Sequence, residues 1–88
     1  MFTVAWSDEA KDQLAEIWLN SNATVRREIT TYTAELDRNL RANADRIGES
    51  REPGIRVLAE ATLGIEFRIS VPDRFVSIGR VWRIRRAR

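Results

Sequence analysis

The chain of 88 residues carries 15 basic and 13 acidic side chains, and 43% of its residues are hydrophobic, which is typical of one small globular domain spanning residues 1–88. It contains no cysteine, which excludes disulfide bonds and thiolate metal sites. No apolar run reaches the ~20 residues that a membrane-spanning helix needs, and the N-terminus "MFTVAWSDEA" lacks a signal-peptide pattern, so we expect a cytoplasmic protein with no membrane partner.

The charge is unevenly distributed along the chain. Residues 1–50 contain six cations and nine acids, which sum to −3, whereas residues 51–88 contain nine arginines and four acids, which sum to +5. Arginine presents a planar fork of donors that suits phosphate and carboxylate groups. The basic second half therefore indicates an anionic partner, of which nucleic acid is the leading candidate. The alternative is a basic surface that only aids solubility.

A short strand and a helix are predicted at the N-terminus. Phe2, Val4 and Trp6 alternate with smaller residues, which indicates a strand of period two. Ser7 is a favourable N-cap, and the helix that it starts is expected to end near Leu19. We assign the apolar stripe of this helix to the core; it consists of Ala10, Leu14, Ile17 and Trp18.

A second, longer helix is predicted to start at Thr24 as N-cap and to end near Asn43. Its apolar stripe recurs at helical spacing over Val25, Ile29, Tyr32, Leu36 and Leu40. Because only a short loop separates the two helices, we expect them to form an antiparallel hairpin. The segment "NADRIGESREPG" is then predicted to be a polar connection, with two glycines and a proline as breakers.

Three strands are predicted in the second half, in "IRVLAEA", "LGIEFRISV" and "FVSIGRVWRI". The last strand is expected to turn Val76, Ile78, Trp82 and Ile84 toward the core, with Arg80 as an exception to the alternation. The order β-α-α-β-β-β predicts an α+β fold. In it the helical hairpin packs on one face of an antiparallel sheet and leaves the other face open.

Charged residues are expected to gather on this open face. If residues 62–64 form the turn between the second and third strands, Ala61 pairs with Ile65, and Glu60 lies opposite Glu66. The cations expected on the same face are Arg56, Arg68, Arg83 and Arg85.

A carboxylate among arginines can cleave RNA without a metal. A base removes the ribose 2′-hydroxyl proton, cations stabilise the charge that builds on the phosphorus centre, and an acid protonates the leaving 5′-oxygen. Glu66 is the candidate base, and the candidate charge-stabilising residues are Arg68, Arg83 and Arg85. No side chain stands out as the acid, because the chain has no histidine, its only lysine is Lys11 and its only tyrosine is Tyr32.

The alternative is an ordinary solvated ladder of mixed charge. No cofactor motif and no metal-spaced cluster occur in the sequence, so neither a cofactor nor a metal is expected.

Four segments, "VAWSDEAKDQLAEIW", "NADRIGES", "PGIRVL" and "LGIEFRISVPDRFVSIGRVW", together with the basic end, resemble the RelE/ParE superfamily of bacterial type II toxin–antitoxin toxins. The resemblance covers nearly the whole chain. It implies a βααβββ fold, a growth-arresting toxin and a cognate antitoxin that wraps the toxin. It also implies one of two targets: messenger RNA at the ribosome, which some members cleave, or DNA gyrase, which others poison.

The resemblance carries over to single residues in the basic half. Arg68 lies on the strand where ribonuclease members place an arginine, although the closest alignment puts Glu66 at that position. Arg83 stands where many relatives have a histidine. The further cations expected to bind nucleic acid or the antitoxin are Arg56, Arg80, Arg86 and Arg88. Three functions stay open: translation inhibition by a metal-independent endoribonuclease, gyrase inhibition without catalysis, and non-toxic antitoxin binding.

Overall fold

The computed structural model of the protein describes residues 1–60 and 62–84. Its elements, in chain order, are β1 (Thr3–Trp6), α1 (Asp8–Leu19), α2 (Ala23–Asn43), β2 (Glu49–Glu52), β3 (Ile55–Glu60), β4 (Leu63–Ser70) and β5 (Phe75–Arg83). Within the described residues, no helix combines the length and apolarity needed to cross a membrane.

The five strands form one sheet in the order β1-β5-β4-β3-β2, and the helices pack on one of its faces. β1 pairs in parallel with β5, whereas the other neighbouring strands are antiparallel. The predicted α+β fold is confirmed, with two differences in the sheet. It is mixed, because α1 and α2 carry the chain from one sheet edge to the other after β1. It also contains β2, which lies in the segment predicted to be a polar connection.

Side-chain caps set the starts of both helices. The Ser7 hydroxyl accepts a hydrogen bond from the Ala10 amide at 3.0 Å, and α1 ends at Leu19 as predicted. The predicted Thr24 cap of α2 is wrong, because the Asn22 side chain accepts from the Val25 amide at 2.9 Å and begins the helix earlier. An asparagine side chain satisfies free amides at a helix start as a threonine side chain does, and Asn22 precedes Thr24 in the chain.

The core lies between α2 and the sheet. Ile29, Leu36 and Leu40 of α2 are buried, as their helical spacing predicted, against Ile65 and Phe67 of β4. The first helix contributes less than expected, since Ala10 is its only fully buried residue in this part of the chain. The core assignment of Trp18 is wrong. Its side chain is 37% exposed, and the Arg26 guanidinium lies 5.7 Å from the centre of its ring.

Leu36→Ala is expected to lower the free energy of unfolding by about 2–5 kcal/mol, because the truncation leaves a cavity between α2 and the sheet. Leu19→Ala is the matched control, since the same atoms are removed from a side chain that is 73% exposed, and its effect is expected within about 0.5 kcal/mol of zero. Urea denaturation of both variants measures the difference. Equal losses of stability would contradict the assigned core face of α2.

The short edge strand β2 depends on a glycine and an arginine. Gly48 has φ +74°, and a Cβ atom there would lie 2.5 Å from the Val57 carbonyl oxygen, so glycine allows the chain to enter β2 beside β3. Arg56 donates from Nε to the Ile47 carbonyl oxygen at 2.7 Å and from Nη2 to that of Gly48 at 2.9 Å. Arg56 therefore fastens the connection between α2 and β2.

Candidate functional site

The register between β3 and β4 differs from the predicted one. Glu60 pairs with Leu63, and along the ladder Val57 pairs with Glu66 and Arg56 with Phe67. The predicted opposition of Glu60 and Glu66 is therefore wrong; the expected partner of Ile65, Ala61, lies outside the described residues. The connection is shorter than expected, and an odd shift in register moves every side chain of β3 to the other face.

This inversion separates the charges that the sequence had grouped. Arg56 and Glu60 lie on the helix-facing side of the sheet, in register with the buried side chains of β4, whereas Glu66 and Arg68 lie on the other side. Arg56 therefore does not join Glu66 and Arg68, contrary to the expectation.

A β-bulge divides β5 into two parts with opposite faces. Phe67 pairs with Ile78 but Glu66 pairs with Arg80, which leaves Gly79 as the extra residue. Beyond the bulge the alternation inverts, because one inserted residue changes the side to which the following side chains point. Arg80 and Trp82 thus lie on the side away from the helices, while Val81 and Arg83 lie on the helix-facing side. The predicted core position of Trp82 and the predicted open position of Arg83 are both wrong.

We call the side of the sheet away from the helices the open face; its central residues are Gly64, Glu66, Arg68, Ser77, Arg80 and Trp82. At its centre, Arg80 Nε lies 3.6 Å from Glu66 Oε1. Both side chains reach solvent, so this ion pair contributes at most about 1 kcal/mol to stability. Arg68 follows Glu66 on the same side of β4 and is exposed. The open face therefore holds one carboxylate, Glu66, between two arginines, Arg68 on the same strand and Arg80 on the neighbouring strand.

The indole of Trp82 covers Gly64 on the neighbouring strand. A methyl group built on Gly64 would overlap the ring at Cε2, Nε1 and Cζ2, so the ring lies directly on the glycine backbone. The Arg80 guanidinium is 5.7 Å from the centre of the same ring, within the range of a cation–π contact. Trp82 is half-buried in this position.

Arg83 instead borders a cleft of about 490 Å3 between α1 and β5, which is also lined by Gln13, Glu16 and Asn20. Gln13 Oε1 accepts a hydrogen bond from the Val81 amide at 2.7 Å and so satisfies the edge of β5 beyond the end of β1. The Arg83 Nε is buried without a hydrogen-bond partner among the described residues. The predicted site residues Arg85, Arg86 and Arg88 lie outside the described residues.

The open face offers a base, but none of its described residues is a histidine, lysine or tyrosine that could act as the acid. The only tyrosine, Tyr32, lies on α2, and burial together with the Glu60 carboxylate raises its pKa to about 12. Its hydroxyl is buried without a partner in the part of the chain described here. Residues 1–60 and 62–84 also contain no cluster of three or more acidic side chains that could hold a metal ion.

Tyr32→Phe is expected to leave stability at neutral pH unchanged or slightly higher, because it removes a buried hydroxyl that has no partner. The unfolded chain releases the tyrosine proton near pH 10, whereas the folded chain holds it to about pH 12, so the wild type loses stability as the pH rises through this window. The variant should lack that loss. Absorbance of tyrosinate follows the titration directly, since the chain has one tyrosine, and a midpoint near pH 10 in the folded protein would contradict the burial of Tyr32.

Comparison with solved structures places this arrangement among known folds. The RelBE2 toxin–antitoxin complex from Mycobacterium tuberculosis contains a chain that is 20% identical, with a TM-score of 0.74 over 94% of this chain and 98% of that one. The fold is that of the RelE/ParE toxins. A chain of the chromosomal ParDE system from P. aeruginosa shares the RelE/ParE fold at 19% identity and TM-score 0.68, covering 97% of this chain and 98% of its own.

The isolated RelE toxin of E. coli is similar at 13% identity and TM-score 0.61, over 99% of this chain and 88% of that one. At these identities the likeness to RelE/ParE toxins establishes the fold. No protein-family model matches the sequence, and no curated protein matches it significantly.

Sequence reasoning missed Trp82 as a residue of the RelE/ParE-like open face. Two signals pointed to it: Gly79 interrupts an otherwise regular strand pattern, which is typical of a bulge, and Arg80 stood at a position assigned to the core. A bulge at Gly79 removes the Arg80 exception and places Trp82 beside it on the open face.

Proposed function

We propose that this protein is the toxin of a type II toxin–antitoxin module and that it arrests bacterial growth by binding and cleaving messenger RNA at the ribosome. The observation that carries the proposal is the RelE/ParE fold, which matches a chain of the RelBE2 toxin–antitoxin complex over 94% of this chain and a chain of the ParDE system over 97%. The proposed target follows from the open face, where Arg68 and Arg80 flank Glu66, and from the five arginines among residues 80–88.

In the proposed reaction Glu66 accepts the ribose 2′-hydroxyl proton, and the freed 2′-oxygen bonds to the adjacent phosphorus. The bond from phosphorus to the 5′-oxygen breaks and leaves a 2′,3′-cyclic phosphate, and water supplies the proton that the departing 5′-oxygen takes up. Arg68 and Arg80 stabilise the charge that develops on the phosphate, because both lie on the same face as that carboxylate. Arg83 is kept as a candidate for binding RNA or antitoxin from the neighbouring cleft, since it lies on the helix-facing side. The same role is proposed for Arg85, Arg86 and Arg88, whose charges follow directly in the sequence.

A second candidate function is inhibition of DNA gyrase without catalysis by this chain. Two observations favour it, because each weakens the case for catalysis. The Glu66 carboxylate already pairs with Arg80, and Tyr32 lies on α2, on the other side of the sheet. One of the similar structures is a ParDE system. For either target, we propose a cognate antitoxin as the protein partner, with acidic side chains that cover the arginines of residues 80–88.

Induced expression of this chain alone tests the toxin assignment. Growth is expected to stop, and co-expression of the adjacent small reading frame is expected to restore it. Primer extension on ribosome-associated messages and a gyrase supercoiling assay then separate the two targets. Normal growth of cells that accumulate the folded protein would contradict the toxin assignment.

A further inference from the structure

The Trp82 indole has a support that an ordinary surface tryptophan lacks. One side of the ring lies on the Gly64 backbone, and any larger residue at position 64 would push the ring away. Tryptophan and glycine are directly paired across β4 and β5, so the strand register itself fixes this contact. The result is a flat aromatic surface held against the sheet on the open face.

The surroundings of this indole suit a nucleotide. Arg80 lies beside the ring and belongs to the same face as Arg68, so cations adjoin an aromatic surface. Phe75, at the other end of β5, is 40% exposed and lies on the same side of the sheet, in register with Ser70. Aromatic side chains that alternate with cations on a sheet are the usual means of holding single-stranded nucleic acid, because bases stack on the rings while phosphates meet the charges.

We propose that Trp82 is a stacking platform for one unpaired base of single-stranded RNA, with Arg80 contacting the adjacent phosphate. This inference rests on the RNA target proposed above and adds to it a position on the face where a base, and not only the backbone, is held. An acidic antitoxin helix would also pair with Arg80, but its carboxylates gain nothing from stacking on the flat Trp82 ring. Base stacking on Trp82 therefore distinguishes RNA from the antitoxin as the partner of this ring.

Binding of the purified full chain to two labelled oligonucleotides tests the proposal. One is a run of about eight uridines and the other has the same length and phosphates but lacks the bases. The wild type is expected to bind the base-bearing strand about tenfold more tightly at low salt, which is the scale of one stacked base. Trp82→Leu should bind both strands with the affinity that the wild type has for the abasic strand.

Two glycine substitutions, one as test and one as control, examine the platform without replacing the tryptophan. Gly64→Ala is expected to reduce the preference for the base-bearing strand as Trp82→Leu does, because the new methyl group displaces the indole. Gly79→Ala is the matched control: its Cβ would lie 3.9 Å from the Glu66 carbonyl oxygen, an ordinary contact, so the preference should stay at the wild-type value. Circular dichroism confirms that each variant is folded, and the wild-type comparison of the two strands holds even where a variant fails to fold.

Equal affinity of the wild type for the two oligonucleotides would overturn the stacking proposal, even when the chain arrests growth and cleaves RNA; the proposed function would then stand without it. No binding of either strand, together with gyrase inhibition, would overturn both the RNA target and the platform. Loss of antitoxin binding in Trp82→Leu with an unchanged preference for the base-bearing strand would assign the indole to the antitoxin and overturn the proposal.

Discussion

A Glu66→Gln variant is expected to cleave ribosome-bound messenger RNA at about one hundredth of the wild-type rate or less, because the amide cannot accept the 2′-hydroxyl proton. The fold should survive, since the side chain reaches solvent on the open face and its ion pair with Arg80 adds little stability. Arg68→Gln should lower the rate to a similar extent through loss of charge stabilisation. Primer extension over a time course measures both rates.

Two matched variants control for this result. Glu60→Gln makes the same chemical change on the same sheet, but Glu60 lies on the helix-facing side in register with Leu63, and its cleavage rate should equal that of the wild type. Arg38→Gln removes one exposed arginine from α2 and controls for net charge. Wild-type cleavage by Glu66→Gln would place the base elsewhere. Growth arrest with intact messages and inhibited supercoiling would instead support the gyrase alternative.

Removal of residues 85–88 is expected to weaken RNA binding and to lower its salt dependence. Three arginines are lost, and each phosphate contact on a single strand contributes about 0.7 to the slope of log K against log salt, so the slope should fall by about 2. The cut falls after Ile84 because the Ile84 amide still donates to the Thr62 carbonyl oxygen at 2.8 Å, which anchors the end of β5 to the start of β4. Titrations from about 50 to 200 mM salt cover the useful range.

The matched control for this truncation removes the same charge from α2 and from the connection that follows it. A triple variant with Arg27, Arg38 and Arg46 replaced by glutamine also lowers the net charge by three, but from exposed positions outside the arginine-rich end. Its salt slope should stay close to that of the wild type. An unchanged slope in a folded truncation, or an equal fall in the triple variant, would show that the phosphate contacts lie elsewhere.

Local patterns in the sequence determined both helices, four of the five strands and most of the core. Ser7 predicted the start of α1, and the helical spacing of Ile29, Leu36 and Leu40 predicted the buried face of α2. The predicted placement of Glu66 and Arg68 of β4 on the open face is also correct. These features depend on residues within a few positions of one another, so periodicity and capping suffice to read them.

Only the tertiary structure decided which charges and aromatics meet on the open face. Glu60 pairs with Leu63 instead of Glu66, a register shift of three positions, and the bulge at Gly79 inserts one residue into β5; each of these odd shifts exchanges the two faces of a strand relative to its neighbour. As a result, Arg56 and Arg83 lie on the helix-facing side of the sheet, and Trp82 lies on the open face. The physical reason is that register is a property of two paired strands. A register shift by an odd number of residues leaves the alternation within each strand intact. It nevertheless exchanges the side chains that one strand turns to solvent beside its partner.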